Sequence, residues 1–225
     1  FKGGRSGPGA RATKSHTASL SGVDEVFDAV CKQAGIIRCN ECSHLFEVAQ
    51  ALATQPVPKG KRVAVIGSGG QSVVTADACA TLGLELPEFD EDTKRSIKKL
   101  IASFAAIQTN PVDSPGGGAV HRLVEILLAL DYIDGIIIRG MMERPSSGTL
   151  TADEVAEVVA DAEGIISVLK KYSKPLIVSS LPAGATHIGI DLLIKASIPI
   201  YAIPEEAARA MWGLVRYGEI LKTIG

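Results

Sequence analysis

Residues 62–72, RVAVIGSGGQS, set a run of branched apolar residues directly against a glycine turn. The run reads as a strand over 62–66, and the turn opens a helix over about 70–82. An apolar run without polar alternation is what a strand buried on both faces requires, and such strands belong to parallel sheets. The pattern repeats downstream: an extended piece at 84–86, a helix over 92–103, a loop over 109–118, a helix to Leu130 and an apolar strand over 135–138. A capping box, Thr151-x-x-Glu154, opens a helix to Tyr172, followed by a strand over 175–179, a helix over 188–196, a strand over 198–203 and a last helix from Glu205. Strands and helices in this alternation predict an α/β fold with a doubly wound parallel sheet.

Ligands of such sheets bind at the carboxyl ends of the strands. The loops at that edge are 67–72, 109–118, 140–148 and 180–186, the Gly-, Ser- and Pro-rich parts of the sequence. The turn 67–72 combines free backbone N–H groups with the positive end of a helix dipole, the general device for holding anions. It lacks the Gly-Lys-Ser/Thr ending of a nucleotide-binding P-loop. It also carries Ser72 where a dinucleotide fingerprint has its third glycine, although Glu85 stands where that motif places its ribose ligand. A tight turn with no ligand is the plain alternative.

Upstream of the strand, residues 55–61 (QPVPKGK) hold two prolines and no periodicity, and mark a domain boundary between 1–57 and 58–225. Before it, 41–54 reads as an amphipathic helix and Ile36-Ile37 as a short strand. A capping box Ser21-x-x-Asp24 is expected to open a helix that stops at Ala34-Gly35. The first 22 residues, FKGGRSGPGARATKSHTASLSG, carry Lys2, Arg5, Arg11 and Lys14 and no acid. They read as a flexible, anion-handling loop around His16.

The chain has 225 residues, 46% apolar content and a net charge of -2, which is enough for buried cores and excludes disorder. Basic residues beyond the opening segment are interleaved with acids, which argues against nucleic acid as a partner. No apolar run reaches the roughly 20 residues of a membrane span and no signal peptide is visible, so a cytoplasmic protein without a membrane partner is expected. Four cysteines, Cys31, Cys39, Cys42 and Cys79, are expected as reduced packing residues. Cys39-x-x-Cys42 with His44 lacks a second ligand pair, so no metal site is predicted. Asp131 and Asp134 read as solvated strand-edge acids. The start at Phe1, inside a glycine-rich stretch, suggests part of a longer protein.

Among the histidines, His44, His121 and His187 fall in or beside helices and read as surface or packing residues. His16 differs, because a negative group attached to it would meet Arg and Lys side chains and a nearby helix start. Neutral imidazole is the main form at pH 7 and is nucleophilic. Charged hydrogen bonds would stabilise such an adduct by about 1.5–3 kcal/mol each, and a helix N-terminus by roughly 0.3–2 kcal/mol. From the residues alone, a solvated histidine in a basic arm is the favoured reading of His16, because a single histidine is weak evidence for catalysis.

The segments Gly4-Arg5-Ser6, Gly9-Ala-Arg-Ala12 and Ser15-His16-Thr-Ala-Ser-Leu20 resemble the phosphohistidine segment of the NDP-forming acyl-CoA synthetases. These include ADP-forming acetyl-CoA synthetase, in the succinyl-CoA synthetase superfamily. The similarity continues through residues 33–38, Gly69-Gly70, Asn110-Pro-Val-Asp113, Ile198-Pro-Ile-Tyr201 and Pro204-Glu-x-Ala207, nearly the whole chain. The resemblance implies flavodoxin-like domains, the first of which would be represented by its C-terminal part only. It also implies conversion of acyl-CoA, phosphate and ADP into a carboxylic acid, CoA and ATP by way of an acyl phosphate and a phosphohistidine.

By the same resemblance, His16 carries the phosphoryl group and Arg5, Arg11, Ser15 and Thr17 support its segment. Phosphate is held between two helix starts, at Ser21-Gly22 and at Gly69, Gly70, Gln71 and Ser72. CoA, ADP/ATP and Mg2+ serve the complete enzyme, with none bound tightly to this part. An upstream CoA-binding domain and an ATP-grasp domain or subunit are the implied partners, in an oligomer, and this chain by itself should not turn over. Ser19, where glycine is commoner, and Ser68 and Gln71 depart slightly from the family pattern. Two other readings remain at this level: a non-catalytic binding or assembly module of the same fold, and a dinucleotide-binding oxidoreductase domain resting on Gly67, Gly69 and Glu85.

Overall fold

The strand Val63–Gly67 (β1) is buried at every position, and its side chains divide between two apolar layers. The computed structural model describes residues 1–17, 22–101, 109–114, 120–140, 151–180 and 187–224. Four further strands accompany β1 among these: β2 (Val112–Asp113), β3 (Gly135–Arg139), β4 (Leu176–Ser179) and β5 (Ile200–Tyr201). All pair in parallel in the order β2-β1-β3-β4-β5. This is the flavodoxin-like order, with a topological switch point between β1 and β3. The α/β doubly wound fold expected from the apolar strands is the one observed.

Nine helices are described in chain order: α1 (Gly7–Thr17), α2 (Asp24–Gln33), α3 (Cys42–Thr54), α4 (Gly70–Thr81), α5 (Glu91–Leu100), α6 (Val120–Ala129), α7 (Ala152–Leu169), α8 (His187–Lys195) and α9 (Pro204–Ile224). Ala64, Ile66, Ile136, Ile138, Leu176 and Val178 face a layer made by α5, α6, α7 and α8. Their chain neighbours Val63, Val65, Ile137 and Ile177 face α3, α4 and α9. The period-two division explains the unbroken apolar runs at 63–66, 136–138 and 176–178. On α6, Val120, Leu123, Val124, Leu127 and Leu128 are buried at helical spacing, and Thr151 with Glu154 forms the expected capping box of α7.

Residues 55–61 are stitched to the sheet. Gln55 accepts from the Leu176 N–H at 2.9 Å and donates to the Ser197 carbonyl at 3.0 Å. Helix α3 lies against α9, where a Cβ at Gly213 would sit 2.6 Å from Val48 Cγ1, so only glycine admits this approach. Arg209 grips Glu47 with two hydrogen bonds, Nε to Oε2 at 2.7 Å and Nη2 to Oε1 at 3.1 Å. Tyr201 adds a bond from its hydroxyl to the Glu47 carbonyl at 2.7 Å.

Several sequence expectations change. Asp134 is buried rather than solvated, and accepts from the Arg62 N–H at 3.0 Å, from Arg62 Nε at 2.8 Å and from Nη2 at 3.0 Å. Burial acts to raise its carboxyl, but the Arg62 hydrogen bonds and charge outweigh it and hold the group below the ordinary carboxylate range. A depressed folded-state value means that these contacts contribute fully above the unfolded value near pH 4 and are lost as pH falls through the folded one. The urea midpoint of the wild type should therefore fall between pH 6 and pH 3 more steeply than that of Asp134→Asn; equal slopes would contradict this.

The opening segment is not all loop, because residues 7–17 form α1. Ser6 Oγ accepts from the Gly9 N–H at 3.2 Å, Pro8 sits in the first turn where its missing N–H costs nothing, and Ala10, Arg11, Ala12 and Lys14 favour helix. Helix α2 opens at Val23 with no side-chain cap, so Asp24 is no member of a capping box; Ser21 lies outside the described residues. Ile36 and Ile37 form no strand. Gly35, at φ +66°, reverses the chain, and the Ile36 N–H returns to the Cys31 carbonyl at 2.8 Å in a Schellman-type stop. The loop at 109–118 includes β2, and the last strand contracts to Ile200–Tyr201. Residues 18–21, 102–103, 115–118, 141–148 and 181–186 of the expected helix and loops lie outside the described residues, as do the side chains of Thr17 and His187.

Candidate functional site

At the carboxyl end of β1 the chain turns at Gly67, passes Gly69 at φ +56° and enters α4. A Cβ at Gly67 would stand 2.6 Å from Ser72 Oγ and 3.3 Å from Arg139 Cβ, so the turn lies directly on the end of β3. The neighbouring strand fixes it: Asp113 Oδ1 accepts from the Gly69 N–H at 3.0 Å, and the Ser114 N–H donates to the Gly67 carbonyl at 2.8 Å. Asn110 secures the approach, accepting from the Val65 N–H at 3.0 Å and donating to the Val63 carbonyl at 2.8 Å.

The Gly69 amide is thus committed to Asp113, and the Ser72 amide to the Gly69 carbonyl at 3.1 Å. The amides of Gly70 and Gln71 have no partner among the described residues, and both residues are exposed. The first turn of α4 contains no acid. Beneath it Ser72 and Ser179 are buried, and each hydroxyl lacks a hydrogen-bond partner among the described residues. Arg139 is buried at the end of β3, with Nη1 donating to the Ser179 carbonyl at 3.3 Å. This site sits at the switch point of the sheet. Among the described residues, unpartnered amides, buried hydroxyls and a neighbouring guanidinium suit it to an anion, opposed by the Asp113 carboxylate.

The second helix start named from the sequence has different electrostatics. Helix α2 carries Asp24 and Glu25 in its first turn, which already answer its dipole. Gly22, at φ +62°, accepts from Lys2 Nζ at 3.3 Å through its carbonyl. Asp24 is surrounded by Arg38, Arg5 and Lys2. Burial acts to raise its carboxyl, and the hydrogen bonds from Arg38 and Arg5 override it to lower the value.

His16 stands exposed in the last turn of α1 with Lys14, and has no hydrogen bond or ion pair among the described residues. Ser15 turns its hydroxyl onto the Ala12 carbonyl at 2.9 Å, Arg11 is exposed, and Arg5 is spent on Asp24 and Asn40. His16 lies one residue before the end of α1, near its carbonyl pole. A negative group on that imidazole is disfavoured by α1 itself, by about 0.3–1 kcal/mol, and gains only from cations or from another helix's N-terminus.

His121 and His44 face carboxylates, and three of the four cysteines are buried. His121 Nδ1 lies 2.6 Å from Asp161 Oδ1, joining α6 to α7, and His44 Nε2 lies 3.6 Å from Glu41. Cys31, Cys39 and Cys79 are buried and Cys42 is exposed. Burial pushes the Cys79 thiol up to about 12. Among the described residues no three His, Cys, Asp or Glu side chains gather to hold a metal, and no helix is long and apolar enough to cross a membrane. The sequence reading placed Asp113 in an edge loop and passed over Arg139 and Ser179, whose signal was a charged or polar residue ending the apolar strands β3 and β4.

The chain thus joins a basic segment carrying His16 to a five-stranded parallel sheet with a glycine turn at its switch point. The family model of the Ligase-CoA domain matches residues 62–217, and the chain belongs to that family. The model of the succinyl-CoA ligase like flavodoxin domain matches residues 1–52. The alpha subunit of acetate–CoA ligase (ADP-forming) II from Pyrococcus furiosus is 34% identical over 222 residues, 96% of this chain and 46% of that protein. The 4-hydroxybutyrate–CoA ligase (ADP-forming) of Nitrosopumilus maritimus is 31% identical over 99% of this chain and 31% of its own length. The chain therefore spans less than half of either relative. The dinucleotide forming acetyl-coenzyme A synthetase 1 of Candidatus Korarchaeum cryptofilum, solved with phosphate and ADP, superposes with a TM-score of 0.82 at 27% identity, over 100% of this chain and 48% of that one.

Proposed function

We propose that this chain is the phosphohistidine-bearing part of an ADP-forming acyl-CoA synthetase, dividing near residues 57 and 58 into the C-terminal portion of one flavodoxin-like domain and a second such domain. A phosphate oxygen attacks the thioester carbonyl of acyl-CoA, the CoA thiolate leaves, and an acyl phosphate forms. The His16 imidazole attacks its phosphorus and releases the carboxylate. The phosphohistidine then passes the phosphoryl group to the terminal oxygen of ADP. Mg2+ accompanies the nucleotide, which an ATP-grasp domain or subunit supplies, and a CoA-binding domain supplies the thioester, so this chain alone is inactive.

One observation carries the reading: a single chain joins an exposed imidazole on a basic segment to a helix start with no acid in its first turn, the imidazole and the Gly70 and Gln71 amides being without partners among the described residues. Of the two helix starts considered for phosphate, that of α4 is the better suited. Its first turn holds no acid and meets only the Asp113 carboxylate at its Gly69 cap among the described residues, whereas Asp24 and Glu25 occupy the first turn of α2 itself and would repel phosphate. We assign the phosphate contact to Gly70, Gln71 and Ser72, with Gly69 shaping the turn through Asp113 and Arg139 supplying charge from below. Arg11 and Lys14 travel with His16 as counter-ions. The likeness to ADP-forming relatives supports the overall reaction.

The test is an assay of the complete enzyme with acetyl-CoA, ADP and phosphate. ATP and acetate should form in equal amounts, with strict dependence on phosphate. CoA release that proceeds without phosphate, or that continues beyond one equivalent per enzyme without ADP, would overturn the reading.

A further inference from the structure

The segment that carries His16 leaves and returns through one carboxylate. On the way out, Arg5 Nε donates to Asp24 Oδ2 at 3.1 Å and Arg5 Nη1 to Asn40 Oδ1 at 2.9 Å. Lys2 Nζ stands 3.5 Å from Asp24 Oδ1 and also donates to the Gly22 carbonyl at 3.3 Å. The chain comes back through Gly22 to Asp24, the first residue of α2. Arg38 holds that residue from behind, with Nη2 donating to Oδ1 at 2.6 Å and Nη1 to the Asp24 carbonyl at 3.2 Å, and it also bonds Asp28. The Phe27 ring sits between two of these cations, 5.2 Å from the Arg38 guanidinium carbon and 5.9 Å from Lys2 Nζ. Residues 5 and 24 are 19 positions apart in sequence and form one joint.

We propose that Asp24 is a positioning residue for phosphoryl transfer, fixing the base from which the His16 segment works. The inference rests on the phosphohistidine reading of His16. Closing a segment at its base reduces the volume that its tip can search, and transfer demands alignment to a fraction of an ångström. Three cations converge on one carboxylate here, more than is needed to end a surface segment. The charge is required as well as the shape, because amide oxygen accepts more weakly than carboxylate from guanidinium.

The experiment uses the complete enzyme carrying Asp24→Asn, Asp24→Glu or Arg5→Ala, and the double variant Arg5→Ala/Asp24→Asn. Asp24→Asn should lower kcat by about 10- to 100-fold, with KM for acyl-CoA and ADP within about twofold, because displacement of a reacting group by 1 Å costs up to about 10²-fold. Asp24→Glu should recover part of the rate, and the double variant should lose less than the product of the single losses, since both remove the same joint. Trypsin cleavage after Arg11 and Lys14 should quicken in Asp24→Asn while the thermal midpoint stays put. An unchanged kcat, or a loss matched by a lowered midpoint or raised KM, would overturn the proposal. If the wild type forms no phosphohistidine, the His16 reading has failed separately. The joint is then judged by trypsin alone, and equal cleavage of wild type and Asp24→Asn would overturn it.

Discussion

Replacing His16 with asparagine should abolish ATP formation by the complete enzyme, with a loss of at least about 10⁴-fold in kcat, the scale on which removal of a covalent carrier is felt. Asparagine keeps the side chain polar and nearly the same size but cannot hold a transferable phosphoryl group. His16 is exposed and unpartnered among the described residues, so the thermal midpoint should be unaffected, as for surface substitutions within about 0.5 kcal/mol. The account also predicts what survives. Exchange of free CoA into acetyl-CoA in the presence of phosphate precedes the histidine step and should continue in His16→Asn. Loss of that exchange as well would mean that His16 acts earlier than proposed. The position of His16 at the carbonyl end of α1 adds a structural expectation: phosphorylation disfavours the last turn of the helix that carries it.

The second large effect concerns stability. Glu47→Ala leaves the Arg209 guanidinium, held by two hydrogen bonds in the native protein, without its carboxylate beside the buried contact of α3 and α9. Breaking a buried pair by removing one partner costs about 3–5 kcal/mol, because the other charge stays desolvated. In a chain of this size that corresponds to a thermal midpoint lower by roughly 10 °C. The double variant Glu47→Leu/Arg209→Met should recover most of the loss, since apolar replacement of a whole buried pair is often nearly neutral. If Glu47→Ala were as costly as the double variant, the pair would matter for packing and not for charge. The result also bears on how residues 1–57 are held, for Glu47 ties α3 to the sheet domain.

The doubly wound sheet was legible because its strands are long unbroken runs of branched apolar residues; VAVIG and GIIIR admit no solvent face. The helices of that domain were legible from spacing and caps, most clearly Thr151 with Glu154. The segment 1–22 was harder. Its glycines suggested a loop, while the helix they begin depends on Ser6 as a cap and on alanines further along. Asp24 has the spacing of a capping box, yet its carboxylate turns to Arg38, Arg5 and Lys2, a choice made by residues distant in sequence. The burial of Asp134 was invisible for the same reason, since Arg62 meets it only across the sheet. At the anion site the glycine turn was legible, and its support by Asp113 and Arg139 was not, because adjacency of strands is decided by topology.

The most direct measurement is to incubate the complete enzyme with γ-labelled ATP, digest it under basic conditions that preserve phosphohistidine, and locate the label by mass spectrometry. The account predicts stoichiometric, acid-labile label on His16, discharged by acetate with CoA and absent from His16→Asn. Label on another residue, or full turnover by His16→Asn, would contradict it.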